Sequence, residues 1–213
     1  MEKRFIKNQH DLNAALIGMI LFDGSMSKAN NLYLRHGGKQ LTYVDEKVEY
    51  LKNYLTPKSL RTCIDKKGYA YRYAYYRNDS LRFLYKDIYI NGRKTLTDNL
   101  LNRFNEITLA FMYMDDGSLV LHKDKNHPGQ YKGREIYLAT HSFSKDEVQK
   151  LQRYLFDKWS VQFRLSPEKQ HYRLCCNSTN AIKFCNIIAP VVYCFPTLQY
   201  KLDFKYVKKQ LPF

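Results

Sequence analysis

Two Asp-Gly-Ser triplets, at Asp23-Gly24-Ser25 and Asp116-Gly117-Ser118, each close an apolar run. Leu16-Ile-Gly-Met-Ile-Leu-Phe leads into the first and Leu109-Ala-Phe-Met-Tyr-Met-Asp into the second, and the two acids stand 93 positions apart. Runs apolar on every side predict buried helices. A carboxylate at a helix C-terminus faces the negative pole of the macrodipole and is disfavoured by roughly 0.3–1 kcal/mol. Two such carboxylates side by side also repel. A divalent cation removes both penalties, and carboxylate oxygen is the ligand that magnesium and calcium take. Asp23 and Asp116 are therefore the candidate metal ligands. Asp115, beside Asp116, is open between a ligand, a turn residue and a residue acting through its neighbour.

The helices must hold these acids together. Asp11 or Asn13 is expected to cap the first and Asn105 the second. Gly18, in mid-helix, costs about 1 kcal/mol of propensity relative to alanine, which suits close backbone approach, and Ala110 offers a second small position. The two helices are expected to pack side by side on a pseudo-twofold axis, with Gly24 and Gly117 letting the chain turn out into a strand.

The segments after each helix repeat in kind. Residues 45–55 and 146–155 each begin Asp-Glu and continue as an amphipathic helix. Alternating segments read as strands: residues 25–28 and 32–35 with 58–64 and 69–76, then 119–123 and 135–140 with 161–165 and 171–176. A last helix closes each half, over 80–90 and 179–188, and a lysine-bearing segment comes after it, with Lys94 in 92–96 and Lys201 in 198–202. The fold class is thus α+β, two pseudo-twofold-related αββαββα halves, each a twisted antiparallel sheet backed by helices, with residues 1–98 and 99–213 as the two repeats. Residues 123–133 form an extra polar loop in the second half.

Thirty-five Lys plus Arg against 20 Asp plus Glu gives +15, and 19 tyrosines are interleaved with the basic residues. That balance points to a nucleic-acid partner, because phosphate contact and base or sugar contact need those two side-chain classes. No stretch approaches the roughly 18–20 apolar residues of a bilayer span, and the start lacks a secretory signal, so the chain is expected to be intracellular with no membrane partner. Five cysteines without a Cys-x-x-Cys pair (Cys63, Cys175, Cys176, Cys185, Cys194) read as reduced packing residues. The scattered histidines His10, His36, His122, His127, His141 and His171 do not form the compact cluster that a His-Asn-His nuclease needs.

The residues Leu16 to Gly24 and Leu109 to Gly117 closely resemble the nine-residue motif of LAGLIDADG homing endonucleases, in particular single-chain members with two repeats, and the resemblance runs from about Asp11 to Phe204. Two departures stand out: Leu21 and Met114 replace the motif's sixth-position Asp, and Phe111 replaces the third-position Gly of the second copy. The eighth-position acids, Asp23 and Asp116, are intact. The resemblance implies a monomer on an asymmetric site of double-stranded DNA, hydrolysing both strands across the minor groove with short 3′ overhangs. It implies magnesium as cofactor, with manganese able to substitute and calcium supporting binding only. It further implies Lys94 and Lys201 as catalytic lysines, and leans toward a group I intron-encoded product of mitochondria or another organelle.

Strand alternation nominates DNA-binding residues, those facing away from the core: Gln162, Arg164, Ser166, His171 and Arg173 in the second half, and Ser59, Arg61 and Arg72 in the first, with Lys28 and Arg35 from the early strands. The same basic sheets could hold host intron RNA, so a maturase is the alternative, as is a non-catalytic nucleic-acid binder such as a transcription factor of this fold. A splicing intein is not expected, since Met1 opens the chain without a leading Cys or Ser and Leu211-Pro-Phe213 closes it without His-Asn.

Overall fold

The structure is a computed structural model that describes residues 2–127 and 131–202. In chain order it runs α1 (Gln9–Leu21), β1 (Ser25–Met26), β2 (Asn31–Gly37), α2 (Leu41–Leu51), β3 (Ser59–Ile64), β4 (Ala70–Arg77), α3 (Arg82–Ile88), β5 (Tyr89–Ile90), β6 (Arg93–Lys94) and α4 (Asp98–Leu101). It continues with α5 (Glu106–Asp116), β7 (Gly117–Lys123), β8 (Tyr131–Leu138), α6 (Lys145–Trp159), β9 (Arg164–Glu168), β10 (His171–Cys176), α7 (Ser178–Val192) and a 3-10 segment at Pro196–Leu202. Two four-stranded antiparallel sheets share one strand order, β1-β2-β4-β3 and β7-β8-β10-β9. The expected αββαββα succession therefore occurs twice, and the fold class read from the sequence holds.

Helices α1 and α5 meet at the centre and are buried over most of their length. Asn105 caps α5 as expected, accepting from the Ile107 and Thr108 amides. The cap of α1 differs: Asn8 accepts from the Asp11 amide at 2.9 Å. Asp11 instead is buried, taking Arg4 at 3.0 Å and Asn105 across the axis at 3.2 Å. The Thr108 hydroxyl donates to the Ala14 carbonyl at 2.9 Å, a second bond between the two helices.

Gly18 sits where the helices touch, but the residue against it is Phe111 rather than Ala110. A Cβ on Gly18 would lie 2.8 Å from Phe111 Cβ and 3.2 Å from the Thr108 carbonyl oxygen. Gly18 and Phe111 are the third positions of the two motif copies, so one copy keeps the glycine and the other fills the space it leaves. Replacing Gly18 by valine is expected to cost about 2 kcal/mol or more, since overpacking against backbone adds to a β-branched helix residue. Urea unfolding checks this: the midpoint should fall with an unchanged slope, and an unmoved midpoint would remove the close-contact explanation. Gly24 and Gly117 serve a similar need. Neither has a positive φ, but a Cβ on Gly24 would stand 2.4 Å from the Met19 carbonyl oxygen, and one on Gly117 would stand 2.5 Å from that of Tyr113.

Several boundaries depart from the sequence reading. Strand β1 ends at Met26, and Lys28 lies in the turn before Asn30, whose φ is 59°. Residues 161–163 are not in the ladder: Val161 and Phe163 are buried, with Phe163 packed edge-on against Phe184 of α7, and β9 starts at Arg164. The turn at Lys169, with φ 55°, sets the register Glu168 to His171. Pro167 is tolerated because β9 is an edge strand. Helix α3 stops at Ile88, and the β5–β6 hairpin comes directly after it. The five cysteines are free, three of them buried. Of the expected polar loop, Pro128, Gly129 and Gln130 lie outside the described residues. Among the described residues no helix is long and apolar enough to cross a membrane.

Candidate active site

Asp23 lies just past α1 and Asp116 is the last residue of α5, so the packing of the two helices delivers both carboxylates to one end of the axis. Their electrostatics record that proximity. Burial first, then the Asp23 and Asp115 carboxylates, push the Asp116 carboxyl up to about 7. Asp23 is raised too, by burial and then by Asp115. Oxygen donors that repel each other at the negative ends of two helices fit a hard divalent cation, which would offset the repulsion.

Each helix end carries one lysine. Lys94 Nζ, on β6, donates to the Gly24 and Phe22 carbonyls at 2.8 and 3.1 Å. Lys201 Nζ, in the 3-10 segment, donates to the Met114, Gly117 and Tyr113 carbonyls at 2.6, 2.9 and 3.3 Å. Carbonyls at a helix C-terminus have no intrahelical partner, so each ammonium satisfies them and sets a positive charge beside the carboxylates. Burial holds both lysines below their ordinary value, against the pull of the three aspartates.

A glutamate from the opposite half holds each lysine segment. Glu147 of α6 accepts from the Leu96 amide at 2.9 Å and from Arg93 at 2.8 Å, fixing the strand that carries Lys94. Glu46 of α2 accepts from the Thr197 amide and hydroxyl at 3.0 and 2.7 Å, fixing the segment that carries Lys201. Glu46 and Glu147 are the same position in the two Asp-Glu-led helices.

Asp115 occupies a buried polar cluster. Its Oδ1 accepts from Tyr43 at 2.8 Å and Lys47 at 2.9 Å, and its Oδ2 accepts from Lys47 at 3.1 Å and the Asp23 amide at 3.5 Å. Lys47 Nζ also reaches His36 Nε2 at 2.9 Å, and His36 Nδ1 lies 3.5 Å from Asp23 Oδ2. Asp23, His36 and Asp115 are close enough to suggest a metal trio. The bonds argue otherwise, because Lys47 occupies Asp115 and the Nε2 lone pair of His36. Burial and Lys47 hold His36 neutral, down to about 3, and an ammonium only donates. The imidazole proton is therefore assigned to Nδ1, toward Asp23. None of Tyr43, His36, Lys47, Glu46 or Glu147 was singled out from sequence, although Lys47 carries a signal. It falls on the buried stripe of α2 with Tyr43, Val44, Tyr50 and Leu51, where an apolar residue belongs.

The outer faces of the sheets carry most of the nominated DNA contacts. Register aligns Tyr33, Tyr75 and Ser59 in one row and Arg35, Tyr73 and Arg61 in the next. Arg35 stacks on Tyr71 at 3.7 Å and Arg61 over Tyr73 at 5.1 Å. Asp23 borders the same concavity, which Ser25, Tyr33, Arg35, Arg61 and Tyr73 also line. In the second half, Arg164 reaches Glu135 at 3.1 Å, Arg173 stacks on Tyr137 at 4.2 Å, and Gln162 and His171 are exposed. Arg72 is a correction. It shares strand parity with buried Ala74 and Tyr76, so it faces the helices and pairs with Asp45 of α2 at 2.7 Å.

Two four-stranded antiparallel sheets with basic, aromatic outer faces are thus joined through two central helices that end in neighbouring carboxylates. The model of the LAGLIDADG DNA endonuclease family matches residues 13–184, and the chain belongs to that family. Among curated relatives, the RecA protein of Mycolicibacterium flavescens is 26% identical over 88% of this chain and 45% of its own length. A probable intron-encoded DNA endonuclease of Mycosarcoma maydis is 32% identical over 53% of this chain and 75% of its own. The chain thus spans less than half the length of the RecA relative. Among solved structures, the homing endonuclease I-WcaI bound to its DNA recognition sequence superposes with a TM-score of 0.75 at 23% identity, covering 94% of this chain and 89% of that one. I-LtrWI bound to target DNA gives 0.54 at 12%, over 95% and 91%.

Proposed function

We propose that this chain is a site-specific homing endonuclease that breaks both strands of a long asymmetric DNA site by divalent-metal-dependent phosphodiester hydrolysis, leaving short 3′ overhangs. The observation that carries this reading is the pair of raised carboxylates, each beside a carbonyl-anchored lysine, opening onto the basic outer faces. Residues 1–98 and 99–213 act as two repeats in a monomer, encoded within an intron and working in an organelle.

Asp23 and Asp116 would hold magnesium, for which manganese substitutes, while calcium supports binding alone. Such an ion supplies Lewis-acid stabilisation of the phosphate and a more acidic attacking water. The chain's own residues do the rest. Lys94 and Lys201, fixed by helix carbonyls, place positive charge where charge builds on the phosphate, without reorganising during the reaction. Lys28, Arg35, Ser59, Arg61, Gln162, Arg164, His171 and Arg173 bind and orient the duplex. The reading is tested on a randomised plasmid library in magnesium. Linear products whose sequenced ends share one long motif are expected, and plasmid that is bound but uncut would favour a non-catalytic binder.

Phosphate contact has its own signature. Each phosphate neutralised adds about 0.9 to the magnitude of the slope of log K against log salt. Replacing exposed Arg61 by alanine should weaken binding in calcium and flatten the slope by roughly one unit. An unchanged slope with relaxed preference at one base pair would move Arg61 to base reading.

A further inference from the structure

The two repeats agree in their carboxylates, lysines and segment-holding glutamates, but not in the residues beneath the carboxylates. Under Asp23 is the buried cluster of Asp115, Lys47, His36 and Tyr43. The Lys47 and Asp115 side chains are each 0% exposed, a placement that charged side chains rarely adopt unless paired. Here the pairing is complete: two carboxylate oxygens, the His36 nitrogen, and the Tyr43 ring 4.3 Å from Nζ surround the ammonium.

Among the described residues the other half has no such cluster. Phe22 precedes Asp23 as Asp115 precedes Asp116. Val148 comes after Asp146-Glu147 as Lys47 comes after Asp45-Glu46. Tyr33 pairs with Ser25 as Tyr137 pairs with Ser118, so three residues further on Thr140 takes the place of His36. Phe22 and Val148 are buried, and Thr140 spends its hydroxyl on the Tyr172 carbonyl at 2.8 Å. One repeat thus has Asp, Lys and His where the other has Phe, Val and Thr.

The cluster crosses between the halves, and it meets Asp23 at two points. Asp115 Oδ2 takes the Asp23 amide at 3.5 Å, and His36, whose Nε2 Lys47 claims, also bonds Gln40 and lies with Nδ1 3.5 Å from the Asp23 carboxylate. We propose that Lys47 is a positioning residue that fixes Asp23 through Asp115 and His36, and that this one-sided support makes the two strand cuts unequal in rate. The inference rests on the endonuclease reading above.

The test is single-turnover cleavage in magnesium on a duplex labelled differently on each strand, with binding measured separately in calcium. In the unaltered chain one strand should be cut several-fold faster than the other. Equal rates overturn the proposal without any variant. Lys47→Met leaves the Asp115 carboxylate buried without its counter-charge and is expected to lower the melting temperature. The paired change Lys47→Met with Asp115→Leu removes both charges, as in the other repeat, and is expected to keep the fold and the calcium-supported affinity. In that double variant the ratio of the strand rates should move by about tenfold, the scale of losing one orienting hydrogen bond. A uniform slowing of both strands, or no change in the ratio, makes Lys47 a scaffold residue and overturns the role. A parental chain that binds DNA and cuts neither strand overturns the endonuclease reading itself, an outcome distinct from the other two.

Discussion

Asp23→Asn and Asp116→Asn, each alone, should abolish double-strand cleavage in magnesium, lowering the single-turnover rate by about a thousandfold or more. The scale comes from the chemistry. Losing a charged metal ligand forfeits several kcal/mol of transition-state stabilisation, and each 1.36 kcal/mol is about tenfold in rate. The fold should survive, because neither carboxylate supports the core: the Asp23 side chain is 36% exposed, and Asp116 is tied to the end of β8 through its backbone carbonyl, accepting from the Ala139 amide at 2.9 Å. Removing one of two repelling charges should, if anything, raise the melting temperature of the metal-free protein. A variant that is folded and fully active would remove the aspartate it replaces from the reaction.

The second large effect belongs to the lysines. Lys94→Met and Lys201→Met should each slow single-turnover cleavage by on the order of a hundredfold, typical of losing one positioned electrostatic group, with affinity in calcium much less changed. Lys94 bonds two carbonyls and Lys201 three. Lys201 therefore acts as a fixed charge, and among the described residues Lys94 keeps one proton for a ligand. Replacing the glutamate that holds each segment separates position from charge: Glu147→Gln should loosen the Lys94 side alone and Glu46→Gln the Lys201 side alone. Parental rates at saturating DNA in both methionine variants would return the lysines to the solvated surface.

Much of this arrangement was legible because it is repeated. The Asp-Gly pairs, the mid-helix glycine and the Asp-Glu-led helices are local patterns, and finding the pairs and the led helices twice identified the fold and the metal candidates. Boundaries and faces were less legible where tertiary partners decide them. Arg72 looked outward until Asp45 of α2 supplied an inward partner. Residues 161–163 alternate as a strand does, but pack on α7 instead of pairing. The β5–β6 hairpin had a readable signal in Asn91-Gly92, whose φ values of 52° and 77° suit a two-residue hairpin turn; a helix reading carried through Ile90 concealed it. The cluster around Lys47 was hidden for a deeper reason. Lys47 and Asp115 are 68 positions apart, and only the crossing of the two halves brings them together.

The position of the ion is the central claim. The decisive measurement is anomalous scattering from crystals of the chain bound to its DNA site and soaked in manganese. Peaks are expected within about 2.0–2.2 Å of Asp23 and Asp116 carboxylate oxygens and a scissile phosphate, the distances of hard-cation coordination, with Asp115 and His36 outside the coordination sphere and still bonded to Lys47. Manganese bound by Asp115 and His36, or absent from both motif aspartates while the DNA is being cut, would contradict it.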